Sequence, residues 1–193
     1  MPLTSRTNVK AYCGVTVSTD DSLIDSLILY ADAAVKKATN RVFASASYTE
    51  RRDGNGREEL RLQQYPVTAL TSVKVDSNRE FGADTALDAD EYDLDGDAGL
   101  VYRIGTVWPC GTRNIQVVYT AGYSTIPDDV VHAANIIVAD WYTRAKQLAG
   151  GQSQNELSGE NLGEESQSYV KELVDGWGIP AQAVAILDRY RQL

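Results

Sequence analysis

Two stretches of this chain repeat apolar residues at three- and four-residue steps, and the material between them alternates. In residues 20–39, Leu23, Ile24, Leu27, Ile28, Ala31, Ala34, Val35 and Ala38 fall on one stripe of a helix. Asp25 and Asp32 take the other side, Lys36 and Lys37 suit the negative end of the helix dipole, and Asn40 is a stop signal. Ser18, Thr19 and Asp20 supply N-cap oxygens. In the second stretch, Val130, Ala134, Ile137, Trp141, Ala145 and Leu148 mark the buried face of a longer helix. Pro127 suits its first position, where the missing N–H costs nothing, and Asp128 and Asp129 place negative charge in its first turn.

Between the helices the period shortens to two. Residues 48–52 and 58–62 flank Asp53-Gly54-Asn55-Gly56, a hairpin signal because these residues accept left-handed turn conformations. Residues 70–75 form the next expected strand, after an interruption at Tyr65-Pro66-Val67 where Pro66 has no N–H to donate. A polar excursion over 78–89 follows. Residues 92–94 and 100–104 bracket Asp95-Gly96-Asp97-Ala98-Gly99, a second hairpin signal, and the run 114–120 is a β-branched and aromatic strand. Residues 1–17 show no period. Residues 150–168 are rich in Gly, Ser, Gln, Asn and Glu, a composition that buries too little surface to offset its ordering entropy, so a mobile linker is expected there. Pro180 opens a last helix with Ala183, Val184, Leu187 and Tyr190 on one face.

The expected class is α+β: a small helical core of two long antiparallel helices plus a C-terminal helix, with an inserted antiparallel β-hairpin or meander region. Its parts are an N-terminal arm and first helix (1–46), the β region (47–123), the long helix (124–149), the linker (150–168) and a C-terminal arm (169–193). Leu27, Ala31, Val117, Tyr119, Ile137 and Trp141 are the expected core, and Trp108 and Trp177 are read as packing residues.

Composition narrows the function. An apolar content of 43% supports a real core, and 27 acidic against 18 basic residues give a net charge of −9. That charge disfavours gripping DNA, whose affinity for proteins comes mainly from phosphate neutralisation, and leaves open a protein that lets DNA pass without gripping it. Cys13 and Cys110 form no ligand cluster; sequence does not decide whether they pair, and free thiols of a reducing cytoplasm are the favoured reading. No secretory signal is visible, and no run approaches the roughly 20 apolar residues that span a bilayer. The acidic stretch Asp84, Asp88, Asp90, Glu91, Asp93, Asp95 and Asp97 fails the calcium-loop pattern, since counting from Asp93 puts Ala98 at the glycine position and Ile104 at the bidentate glutamate position. The single His132 falls off the apolar face, and no phosphate loop or nucleophile elbow is present. No catalytic, cofactor-binding or metal site is therefore expected. Arg51, Arg52, Arg57 and Arg61 cluster among Glu50, Asp53, Glu58 and Glu59, which suggests a mixed surface that pairs with an acidic patch, such as Asp93, Asp95 and Asp97, on a neighbouring copy.

The order of these blocks carries a resemblance. A capped helix beginning Thr19-Asp20-Asp21 is followed by Tyr65-Pro66-Val67 with Ser72-Val73. A block containing Trp108, Gly111, Asn114-Ile115, Val117 and Tyr119-Thr120-Ala121-Gly122-Tyr123 then leads into Ile126-Pro127, and the chain closes with Ile179-Pro180, Val184, Leu187 and Tyr190-Arg191. This resembles the head–tail connector (adaptor) proteins of tailed bacteriophages. The resemblance implies a dodecameric ring in the virion neck, assembled in the host cytoplasm and seated under the portal at the unique vertex. It implies portal docking through Pro180, Val184, Leu187, Tyr190 and Arg191, and another surface for the next stopper, head-closure or tail protein. Genomic DNA would pass through the lumen without specific binding, and no membrane or cofactor is involved. The competing readings are a head-closure or tail-terminator ring and, from another class, a carboxylate metalloenzyme built on the Asp84–Asp97 stretch.

Overall fold

Apolar stripes and alternation both become structure, in two separate units. A computed structural model describes residues 1–150, 161–162, 165–166 and 178–191. Met1–Arg41 and Ile126–Leu193 make a helical unit, and Val42–Thr125 makes a β unit.

The helical unit opens with a helix that has no visible period in the sequence, α1 (Arg6–Cys13). Ser5 caps it by accepting from the Asn8 N–H at 3.2 Å, and Gly14 ends it with φ 67°. Only Val9 of its residues is fully buried, so there was no stripe to count. Charge holds it to the start of α2 (Asp21–Thr39): Arg6 pairs with Asp21 at 3.1 Å and with Asp25, and Lys10 pairs with Asp21 at 2.7 Å. Helix α2 buries Ile24, Leu27, Ile28, Ala31, Val35 and Thr39, and it stops at Asn40 in the left-handed conformation.

Helix α3 (Asp128–Ala149) has Pro127 at its N-cap and buries Val130, Ala133, Ala134, Ile137 and Val138. The expected stripe fails beyond that point. Trp141 is half-buried and Leu148 is 62% exposed. The two long helices run antiparallel. Asp20, at the start of α2, accepts from the Tyr142 hydroxyl at 2.6 Å and pairs with Lys146 near the end of α3. At the opposite end, Tyr190 reaches both Asp129 and Arg41.

The short helix α4 (Ala181–Leu187) continues into a 3-10 turn, Asp188–Tyr190, and packs on α3. The span expected to be a mobile linker lies outside the described residues, as do Trp177 and residues 169–174, apart from Gly150 and the pairing of β7 (Asn161–Leu162) with β8 (Glu165–Ser166).

In the β unit, β1 (Ala46–Gly54), β6 (Gly111–Ala121) and β3 (Val67–Val75) form one antiparallel sheet with β6 in the middle. The second sheet has β2 (Glu59–Arg61) and β4 (Tyr92–Asp95) on either side of β5 (Leu100–Arg103). Val73, Ile115, Val117 and Tyr119 of the first sheet share an interior with Leu60, Leu62, Val101 and Trp108. Each such side chain contributes roughly 1.5–3 kcal/mol on leaving water.

The turn at Asp95–Gly99 closes a true hairpin, with Asp95 opposite Leu100 and Gly99 at φ 67°. The turn at Asp53–Gly56 does not: it hands the chain from one sheet to the other. The β1 strand pairs instead with the eleven-residue β6, from Ala46↔Ala121 to Arg52↔Ile115, with an irregularity before Gly54↔Gly111. At that end Asn114 takes over from the ladder. Its Oδ1 accepts from the Gly54 N–H at 2.8 Å and its Nδ2 donates to the Pro109 carbonyl at 2.9 Å. Among the described residues no helix is long and apolar enough to cross a membrane.

Candidate functional site

The C-terminal segment was expected to offer its apolar face to another protein, and in the structure that face is already covered. Ile179, Pro180, Ala183 and Leu187 are buried, Val184 is half-buried, and the outer side, Gln182, Ala185 and Arg189 among it, is exposed. The indole N–H of Trp141 donates to the Gly178 carbonyl at 2.9 Å, and the Tyr190 hydroxyl donates to the Asp129 carboxylate at 2.8 Å. Arg41 stacks over the Tyr190 ring at 5.9 Å and donates to its carbonyl, while Arg191 donates to the Ala38 carbonyl at 3.2 Å. The premise of an unpartnered amphipathic helix therefore fails: α3 is its partner. Trp141, expected in the core, is half-buried rather than fully buried.

The expected inter-subunit residues sit in the β unit. A groove of about 340 Å³ runs between β1 and β2, lined by Arg51, Arg52, Asp53, Asn55, Leu60 and Arg61. Arg51 lies with its guanidinium 5.0 Å from the Phe81 ring centre. Among the described residues Arg52, Arg57, Arg61 and Arg113 have no carboxylate partner. Asp53 is used locally, accepting from the Arg113 backbone N–H at 2.6 Å. The sequence cluster named the arginines but not Asn55, Leu60 or Arg113, because these enter only through the crossing from β1 to β2 and the pairing of Gly54 with Gly111.

The acidic residues do not converge on a metal site. Among the described residues no three His, Cys, Asp or Glu side chains are grouped to hold a cation. Asp88 and Glu91 cap a 3-10 turn reciprocally, Asp93 accepts from Leu94 N–H at 2.9 Å, Asp95 accepts from Ala98 N–H at 3.0 Å, and Glu91 pairs with Arg103. On β4 the exposure alternates, with Tyr92 and Leu94 turned inward and Asp93 and Asp95 outward. Cys13 and Cys110 are both free, and burial pushes the Cys13 thiol up. His132 is exposed and its ring meets Tyr12 edge-on at 5.8 Å. Trp108 is fully buried and donates to the Val101 carbonyl.

Comparison with known proteins places the chain in a family. The model of the head completion protein family matches residues 2–193, nearly the full length. The chain belongs to the head completion protein family. This head completion protein is a structural protein of the phage head–tail connection.

Its fold recurs in solved neck structures of a gene transfer agent (GTA). A chain in the "Neck of empty GTA particle computed with C6 symmetry" superposes with a TM-score of 0.62 at 17% identity, covering 97% of this chain and 88% of that one. A chain in the "Neck of native GTA particle computed with C12 symmetry" gives 0.53 at 18% identity, with 87% and 82% covered. One in the "Virion of native gene transfer agent (GTA) particle" gives 0.54 at 18%, with 92% and 80% covered. No curated protein matches the chain.

Proposed function

We propose that this head completion protein acts in the virion neck as a closed ring under the portal, continues the DNA channel, and presents a platform to the next connector or tail protein. The observation that carries this reading is the family match over residues 2–193, and the fold shared with neck chains across almost the whole of both partners supports it. A net charge of −9 suits a wall along which DNA slides, since phosphates are repelled rather than held. In this reading the docked α4 belongs to the subunit body. What it offers a portal is its solvent side, with Gln182, Ala185 and Arg189.

Native mass measurement of the purified chain, alone and mixed with the portal ring, tests the proposal. The expected result is a multi-copy species bound to the portal, weakened by Arg189→Glu in a chain that still melts cooperatively. Absence of any complex with the portal would overturn it.

A further inference from the structure

The two sheets of the β unit end in edges of different character. The outer edge of β3 is covered at its two ends: Leu87 N–H donates to the Val73 carbonyl, Val67 N–H donates to the Gly96 carbonyl, and Lys74 bridges to Ala86. The short β2 is partly closed by Asn55, whose side chain donates to the Glu59 carbonyl at 3.0 Å. The outer edge of β1 is open. From Ala46 to Asp53 it has no backbone partner among the described residues, it contains no proline, and its exposed side carries Ser47, Thr49, Arg51 and Asp53, with Glu50 and Arg52 on the opposite side. A strand edge this long and uncovered is a template for another strand, and the charges on it restrict which strand can pair there. The second open edge is β4, which among the described residues pairs with β5 alone and has its Leu94 N–H donating to the Asp93 side chain.

Charge selects between the possible occupants of the β1 edge. The groove beside it carries Arg52 and Arg61, neither of them joined to a carboxylate among the described residues. On β4, Asp93 and Asp95 stand two residues apart on the exposed side, which places them roughly 7 Å from one another along the strand. The phosphate backbone of DNA is a poorer fit, because it has no ladder of N–H and C=O groups to pair with the open β1 edge beside the groove.

We propose that β4 of one copy pairs with the open edge of β1 in the next, seating Asp93 and Asp95 against Arg52 and Arg61. The first sheet of one subunit then runs on into the second sheet of its neighbour. The contact is heterologous, one surface against a different surface, and repetition of such a contact closes a ring when the rotation allows. The proposal rests on the ring reading above.

The experiment is a charge-swap series in the full-length chain, read by sedimentation with and without the portal ring. Arg52→Glu with Arg61→Glu, and separately Asp93→Arg with Asp95→Arg, should each weaken self-association by roughly tenfold or more, since like charges then face each other across the contact. An equimolar mixture of the two variants should assemble again, and so should a single chain carrying all four changes, which also shows that the substituted chains fold. Wild-type assembly with no effect of either reversal, or loss without recovery in the four-fold variant, would overturn the edge pairing and leave the ring standing. Intact assembly of the arginine variant with lost retention of duplex DNA would assign the groove to phosphate and overturn the pairing as well. A wild-type chain that stays monomeric both alone and with the portal would remove the ring itself, and this contact with it.

Discussion

Asn114 shows what one residue does in this molecule. It is 3% exposed, it accepts from Gly54 and donates to Pro109 through its side chain, and its own carbonyl accepts from Asp76 N–H at 2.8 Å. Removing the amide would strand the buried Gly54 donor, at a cost of about 1–3 kcal/mol, and release the part-buried Pro109 acceptor. Asn114→Ala should therefore destabilise by about 2–4 kcal/mol in chemical denaturation. Gly54 is fixed by the same site, because a Cβ there would lie 1.8 Å from the Pro109 oxygen. Trp141 was legible as packing but not as a donor, for nothing in a helical stripe says that its indole meets the carbonyl of Gly178. Trp141→Phe keeps most of the contact and gives up that bond, so a cost of about 1 kcal/mol is expected, and a melting temperature unchanged from wild type would show the bond to be idle.

At the scale of elements, the sequence announced what is periodic and was silent on what is pinned. The stripe from Ile24 to Val35 and the alternation of Ile115, Val117 and Tyr119 are each repeated often enough to declare a buried face. Helix α1 has a single buried residue, Val9, and is held by Arg6 and Lys10 against Asp21 and Asp25, contacts between segments that a linear pattern does not encode. The crossing at Asp53–Gly56 misled for a related reason. Its residues specify a turn, but only the long run of β6 decides which strand β1 joins. Helix α4 is the consequential case. Its stripe was right, and the covering partner was in the same chain. Leu187, at 3% exposed, tests this: Leu187→Ala should cost about 2–4 kcal/mol if the helix is docked, and almost nothing if its face waits for a portal.

For the whole molecule the balance of charge sets the conditions of use. Several aspartates are tuned by their surroundings. Tyr142 and Lys146 hold Asp20 below the ordinary range, Lys10 does the same for Asp21, and Arg6 for Asp25. In the loop after β3, backbone N–H groups led by that of Phe81 lower Asp76. Groups depressed in the folded state contribute stability that is present above the unfolded aspartate pKa, about 3.9, and lost as pH falls through the folded values. The melting temperature should thus hold from neutral pH to about 5 and drop below about 4, with a smaller drop in Asp76→Asn. In the other direction, the bond to Asp20 raises the Tyr142 hydroxyl to about 12, so this phenol should stay protonated through mild alkali in a spectroscopic titration. Duplex DNA should not be retained by the protein at physiological salt, and retention would contradict a sliding wall.

The β unit begins and ends at one place. Tyr123 N–H donates to the Phe43 carbonyl, and Ser45 N–H returns a bond to the Tyr123 carbonyl. Strands β1 and β3 both precede β6 in the chain, so the insert shuts only when β6 has joined them. Once it has, everything between Phe43 and Tyr123 counts as a single short link, and the two long helices meet as if they had been neighbours in sequence all along.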